Sequence, residues 1–204
     1  MSSGITASSL LQIETWFSSD AQFHHLYPVA IQQLAQKHWT PLIIAQKASG
    51  FLAAEDNARI LDIGSGAGKF CLAAAFFKPN AHYYGIEQRK TLIAHAELAR
   101  KILKFRNVSF IHGNFTGLDF RSYDHFYFYN SFYENLAFTD KIDHSITQSV
   151  EMYNYYTRHL YQQLQPARAG TKLVTFNSLG SEVPPGFKLV KEETDILLRF
   201  WIKE

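Results

Sequence analysis

Cysteine is nearly absent from this chain: Cys71 is the single one among 204 residues. That excludes an internal disulfide and a thiolate cluster around zinc, and no oxidising compartment is needed. A charge excess of one sign is lacking too, with 20 Lys and Arg against 18 Asp and Glu for a formal +2. Such a balance excludes a strongly basic nucleic-acid module, and the short run Arg100, Lys101, Lys104, Arg106 reads as a solvated helix face. No Lys or Arg precedes Lys37, so the positive flank of a signal peptide is missing. Apolar runs such as Phe70–Phe77 fall far below the roughly 18 residues of a membrane span. The 9 histidines show no paired metal-ligand spacing, and no metal is expected. These absences lead to an expectation of a soluble, cytoplasmic protein, with no signal for its oligomeric state.

What is present supports a packed core. Hydrophobic residues make up 47% and charged residues 19%. A domain of this size removes roughly 70% of its unfolded surface from water. Residues 1–54 lack strand alternation and form a helical N-terminal extension, with one helix expected over Val29–Lys37. A second should start at Thr40-Pro41, Thr capping and Pro opening it. Trp16, Tyr27 and Trp39 suit either a substrate lid or core packing. From 55 to 204 strands and helices alternate. Strands are expected at Arg59–Ile63, His82–Ile86, Val108–Ile111, Tyr123–Tyr129 and Lys172–Phe176. A long helix carrying Ile142, Ile146, Val150, Tyr153 and Leu160 should follow the fourth. Two further strands, Phe187–Val190 and Ile196–Ile202, have no helix between them and predict an antiparallel C-terminal hairpin. The fold class is α/β, a Rossmann-like seven-stranded, mostly parallel sheet covered on both faces.

The chemistry concentrates where the first strand turns into a helix. Asp62-Ile63-Gly64-Ser65-Gly66-Ala67-Gly68 places three glycines at alternate positions, more than a tight turn needs. A dinucleotide fingerprint wants its third glycine at position 69, where Lys69 stands. Asp62, two residues before the first glycine, suits a ligand with a cationic amine. Glu87 ends the second strand, where a carboxylate can accept hydrogen bonds from both ribose hydroxyls, with Gln88 beside it. A nucleoside with an amino-acid tail fits this pattern: S-adenosylmethionine.

Over residues 58–204 the chain resembles the class I S-adenosylmethionine-dependent methyltransferases, through Asp62-x-Gly64-x-Gly66-x-Gly68 and Glu87. The resemblance implies that Gly64, Ser65, Gly66 and Gly68 cradle the methionine portion and that Glu87 holds the ribose. It also implies an adenine contact at Gly113-Asn114-Phe115, where Asn114 replaces the usual Asp and Phe115 offers a ring to stack on. The stretches His82–Glu87, Gly113–Phe115 and Asn130–Phe132 are similar to motifs of the non-SET histone-lysine methyltransferases. Asn130-Ser131-Phe132-Tyr133 resembles the Asn-Pro-Pro-Tyr motif of amino-group methyltransferases, keeping Asn130 and Tyr133 while Ser131 and Phe132 replace both prolines. That resemblance implies a catalytic role for Asn130, aiming the target nitrogen next to the donor, and for the Tyr133 ring. Glu134 is either a proton acceptor or a helix-dipole partner.

The expected function is methyl transfer from S-adenosylmethionine to a nitrogen of an unidentified acceptor: a protein amine, a nucleic-acid base or a small molecule. The alternative is an inactive protein binding S-adenosylmethionine or S-adenosylhomocysteine. A nicotinamide oxidoreductase disagrees with Lys69 and the early third glycine. In this family N-terminal additions commonly cover the donor, so residues 1–54 are expected to act as a lid.

Overall fold

A computed structural model describes residues 13–136, 142–143, 146, 148–178, 180–193, 195 and 197–204. Seven strands form one sheet: β1 (Arg59–Ile63), β2 (His82–Glu87), β3 (Val108–His112), β4 (His125–Tyr129), β5 (Lys172–Phe176), β6 (Phe187–Glu193) and β7 (Leu198–Lys203). Their order is β3-β2-β1-β4-β5-β7-β6. β1 to β5 run parallel, while β7 lies antiparallel between β5 and β6, which makes the expected hairpin the sheet's edge. The chain moves outward from β1 to β3 and then returns to the other side of β1 with β4. This reversal opens a crevice beyond the carboxyl ends of β1 and β4, where ligands of open α/β sheets bind.

Strand alternation decides which residues face which layer. Leu61 and Ile63 join Phe115, Phe126, Phe128, Phe132 and the helix α7 (Val150–Leu164) in one core. Ile60 points to the opposite core, with α4 (Leu42–Leu52) and α5 (Lys69–Phe77). Asp62 shares that face and meets Cys71 of α5. The connection between β2 and β3 is α6 (Lys90–Leu103), which buries Leu92, Ala96, Ala99 and Leu103. Among the described residues no helix is long and apolar enough to cross a membrane.

The N-terminal extension departs from expectation in detail. α1 is Asp20–His24, and the helix expected over Val29–Lys37 is two short ones, α2 (Val29–Gln32) and α3 (Ala35–His38). Leu34 N–H bonds the Ile31 carbonyl, an i to i−3 contact that tightens the chain between them. α4 starts after Thr40-Pro41, but Thr40 does not cap it: its hydroxyl pairs with the Tyr127 hydroxyl at 2.9 Å. The Leu42 N–H instead donates to Asp20 Oδ1 at 3.1 Å, a cap supplied by another helix. Tyr27 and Trp39 are buried in the core, with their rings 4.7 Å apart.

Two further boundaries shift. β4 begins at His125, because Phe120–Ser122 forms a 3₁₀ turn and Asp124 pairs with Arg59. α7 begins at Val150, where Ser149 accepts from Met152 N–H as N-cap. Ile142 and Ile146 therefore precede the helix, and Val150 is half-exposed while Tyr156, Leu160 and Leu164 face the core. Ile196, the expected start of the last strand, and residues 1–12 of the extension lie outside the described residues.

Candidate active site

The glycine turn hangs on the end of β2. Gly64 and Ser65 N–H both donate to the Ile86 carbonyl, at 3.0 and 2.9 Å. The turn then coils with positive φ at Gly64 (77°), Gly66 (54°) and Gly68 (84°), conformations that L side chains resist. A Cβ on Gly64 would lie 2.3 Å from Ser131 Oγ, so the turn touches the segment after β4 only because residue 64 has no side chain. At Gly66 and Gly113 an added Cβ would meet open space. Ser65 Oγ is buried and makes no hydrogen bond among the described residues.

Two acids flank the turn. Asp62 is buried, its described partner is the Cys71 thiol at 3.6 Å, and burial pushes its carboxyl up to about 8. Glu87 accepts from Gly66 N–H at 3.2 Å and from Arg89 N–H at 2.9 Å. Burial raises its pKa as well, opposed by the Arg89 backbone bond and the Arg89 charge. An ionised carboxylate offers about four acceptor positions, so Glu87 keeps capacity for two more donors.

At the end of β3, Asn114 caps a 3₁₀ turn, accepting from Thr116 N–H at 3.0 Å. Its amide donates to Gln88 Oε1 at 3.1 Å and to the Tyr156 hydroxyl at 2.9 Å. Both hands of the side chain are thus engaged, and Gln88 is joined to the same knot. Phe115 lines the cleft but is buried, its ring stacked on Phe132 at 5.1 Å. It forms wall rather than an open stacking face.

The segment after β4 is the other side of the cleft. Asn130 has φ of 31°, which Asn tolerates better than most residues, and its carbonyl accepts from Tyr133 N–H at 3.0 Å. Ser131 Oγ donates to the Ile63 carbonyl at 2.6 Å, and Phe132 is buried between Phe128 and Tyr156. A hydroxyl bond and an anchored ring here do the restraining that two prolines would do by fixing φ. Tyr133 is half-exposed on the one-turn 3₁₀ helix Tyr133–Asn135. Glu134 turns back and takes a two-pronged ion pair from Arg89, at 3.0 and 2.7 Å.

Residues 54–170, more than half of the chain, match the family described as "Methyltransferase domain". The chain belongs to that family, the class I S-adenosylmethionine-dependent methyltransferases. The chain is 40% identical over 70 residues to the release factor glutamine methyltransferase of Buchnera aphidicola subsp. Baizongia pistaciae (strain Bp). That match spans 34% of this chain and only 25% of the relative. Among solved structures it resembles an RNA methyltransferase from Salinibacter ruber in complex with S-adenosyl-L-homocysteine, with a TM-score of 0.57 and 19% identity. The overlap covers 81% of this chain and 93% of that one. TrmN from Thermus thermophilus gives the same TM-score at 16% identity, covering 85% of this chain and 52% of its own. Both likenesses concern the fold.

The residues fit the family's donor, S-adenosylmethionine. Among the described residues, a buried acid with no cation beside it, an orphan hydroxyl at Ser65 and open space at Gly66 and Gly113 are what a ligand with an ammonium and several polar groups would complete. The elements that surround the turn include residues with no motif to announce them. Arg89, with its side chain only 2% exposed, stands beside Glu87, and Tyr156 ties α7 to Asn114. On the outer side of the turn, the Tyr27 hydroxyl donates to the Ala67 carbonyl at 2.9 Å. Lys69, also buried, pairs with Asp20 and lies over the Phe23 and Trp39 rings at 5.4 and 5.6 Å. A cation in the first turn of α5 opposes the helix dipole, so Asp20 supplies the compensating charge.

Proposed function

We propose that this methyltransferase transfers the methyl group of S-adenosylmethionine to a nitrogen atom of its acceptor. Asp62 receives the donor's ammonium, the Gly64–Gly68 turn with Ser65 takes the methionine portion, and Glu87 with Gln88 takes the ribose. Asn114 and Phe115 bound the adenine. The donor brings its own activation as a sulfonium, so the protein's task is to hold the acceptor in line. Asn130 accepts hydrogen bonds from the target nitrogen and aims its lone pair, and the Tyr133 ring bounds the target.

One observation carries the nitrogen reading: the Asn130–Tyr133 turn lies against Gly64 of the donor turn, tied by the Ser131–Ile63 bond, with Tyr133 half-exposed. The 40% identity to a relative whose name specifies a glutamine methyltransferase is a second support. The test is Asn130→Ala assayed with radiolabelled donor and fractionated cell extract. Donor affinity should stay within about threefold while transfer falls roughly 100-fold, the scale of a lost positioning contact. Undiminished transfer in the variant would reduce Asn130 to a turn residue.

A further inference from the structure

The Arg89 side chain reaches across the cleft between two segments far apart in sequence. Its Nη1 and Nη2 meet Glu134 Oε1 and Oε2 at 3.0 and 2.7 Å, and its Nε meets Asp143 at 3.1 Å. Its backbone N–H holds Glu87, whose other oxygen is held by Gly66 N–H. Gln148 adds a bond to Glu134 at 3.2 Å. An unbroken chain of bonds therefore runs from the donor turn (Gly66) through Glu87, Arg89 and Glu134 to the 3₁₀ turn after Asn130.

We propose that Arg89 is a positioning residue that fastens the Asn130–Asn135 segment to the donor-binding end of β2, so that the donor site and the acceptor-aiming turn are held as one unit. The part that concerns the donor rests on the function proposed above. A guanidinium suits this task because its planar fork fixes the orientation of a carboxylate as well as its distance. Burial strengthens the case, since removing one partner leaves the other charge enclosed and uncompensated. Ser131 and Phe132 already tie the front of this segment, and Arg89 ties its far end at Glu134.

Hydrogen exchange of the intact protein reads the fastening directly, at the amides of Tyr133, Asn135 and Leu136, which all donate within the turn. Glu134→Gln keeps the shape and removes the charge. Without ligand, its 130–136 segment should exchange roughly 10- to 100-fold faster than wild type, the worth of a hydrogen bond to a charged group. Arg89→Lys, which loses the fork, should speed exchange at least comparably, and the Arg89→Lys/Glu134→Gln double variant should fall well short of the sum, because both break the Arg89–Glu134 link while Arg89→Lys also loosens the contacts to Asp143 and Glu87. S-adenosylhomocysteine should slow exchange of this segment in wild type and not in either variant, while its affinity stays within about threefold. Unchanged ligand-free exchange in Glu134→Gln, or fully additive effects in the double variant, would overturn the proposal. Failure of wild type to bind S-adenosylhomocysteine would overturn the donor reading instead, and the ligand-free comparison would still decide the fastening.

Discussion

Asp62, within β1, and Glu134, in the turn after β4, are two acids whose surroundings differ in kind. Asp62 ends up in the interior with a thiol as its described partner, while Glu134 is met by a guanidinium on both oxygens. Burying an acid without a cation raises its pKa, as it does at Asp62. The difference teaches how to separate a binding acid from a fastening one. Where the chain provides the countercharge, the acid joins two segments; where it does not, a cationic ligand is the natural partner.

The largest effect should come from removing Asp62, the acid proposed to receive the donor's ammonium. Asp62→Ala should weaken donor affinity by about 2–5 kcal/mol, the loss expected for one member of a buried charged pair. Titration calorimetry with S-adenosylmethionine checks this, and unchanged affinity in a folded variant would erase the contrast with Glu134.

The pH dependence of the ligand-free protein sharpens the same point. The Asp62 carboxyl is raised from an ordinary 3.8 to about 8 in the folded state. Its contribution to stability is therefore fully present below about 4 and is lost as pH rises toward about 8. Glu87, also raised, acts in the same direction. Glu55 and Asp124, both lowered, act the other way, so the reading is a difference: over this window the Tm of wild type should fall relative to that of Asp62→Asn in thermal melts. Donor affinity should rise with pH across the same range, because the ammonium pairs with the ionised carboxylate.

Smaller effects test the outer support of the donor turn. Asp20→Asn leaves buried Lys69 with a weaker partner and should lower stability by about 1–3 kcal/mol, read by urea unfolding. The smallest change is Ser65→Ala. Since the hydroxyl is orphaned in the interior, ligand-free Tm should stay level or rise slightly, while the shift caused by S-adenosylhomocysteine shrinks. A clear loss of ligand-free stability would mean that Ser65 has a structural partner.

The Phe17, Phe23 and Tyr27 side chains show why the extension resists a simple description as a lid. They are buried against α5 and the turn, so removing residues 1–27 would strip core as well as cover. Composition announced an aromatic arm without saying where it docks. Helix boundaries failed for a related reason: Ile142 and Ile146 continue the spacing of α7, but Ser149 caps the helix three residues after Ile146.

Strand-helix alternation, the hairpin without a helix and the glycine turn with its two acids were all legible in the chain, because each depends on periodicity or on neighbours in sequence. Asn130 and Tyr133 entered through a resemblance to the Asn-Pro-Pro-Tyr motif, and the fold sets them in the turn after β4. Arg89 was not legible, though it sits two residues from Glu87: its partner is 45 residues away, and nothing local marks a pair. The same holds for Lys69 with Asp20, for Tyr156 with Asn114, and for the raised pKa of Asp62. The amino-acid order determined which groups exist and which elements carry them. Only the packed fold decided which charges meet and which are shut away from water, since Coulomb attraction and desolvation depend on distance and burial in space.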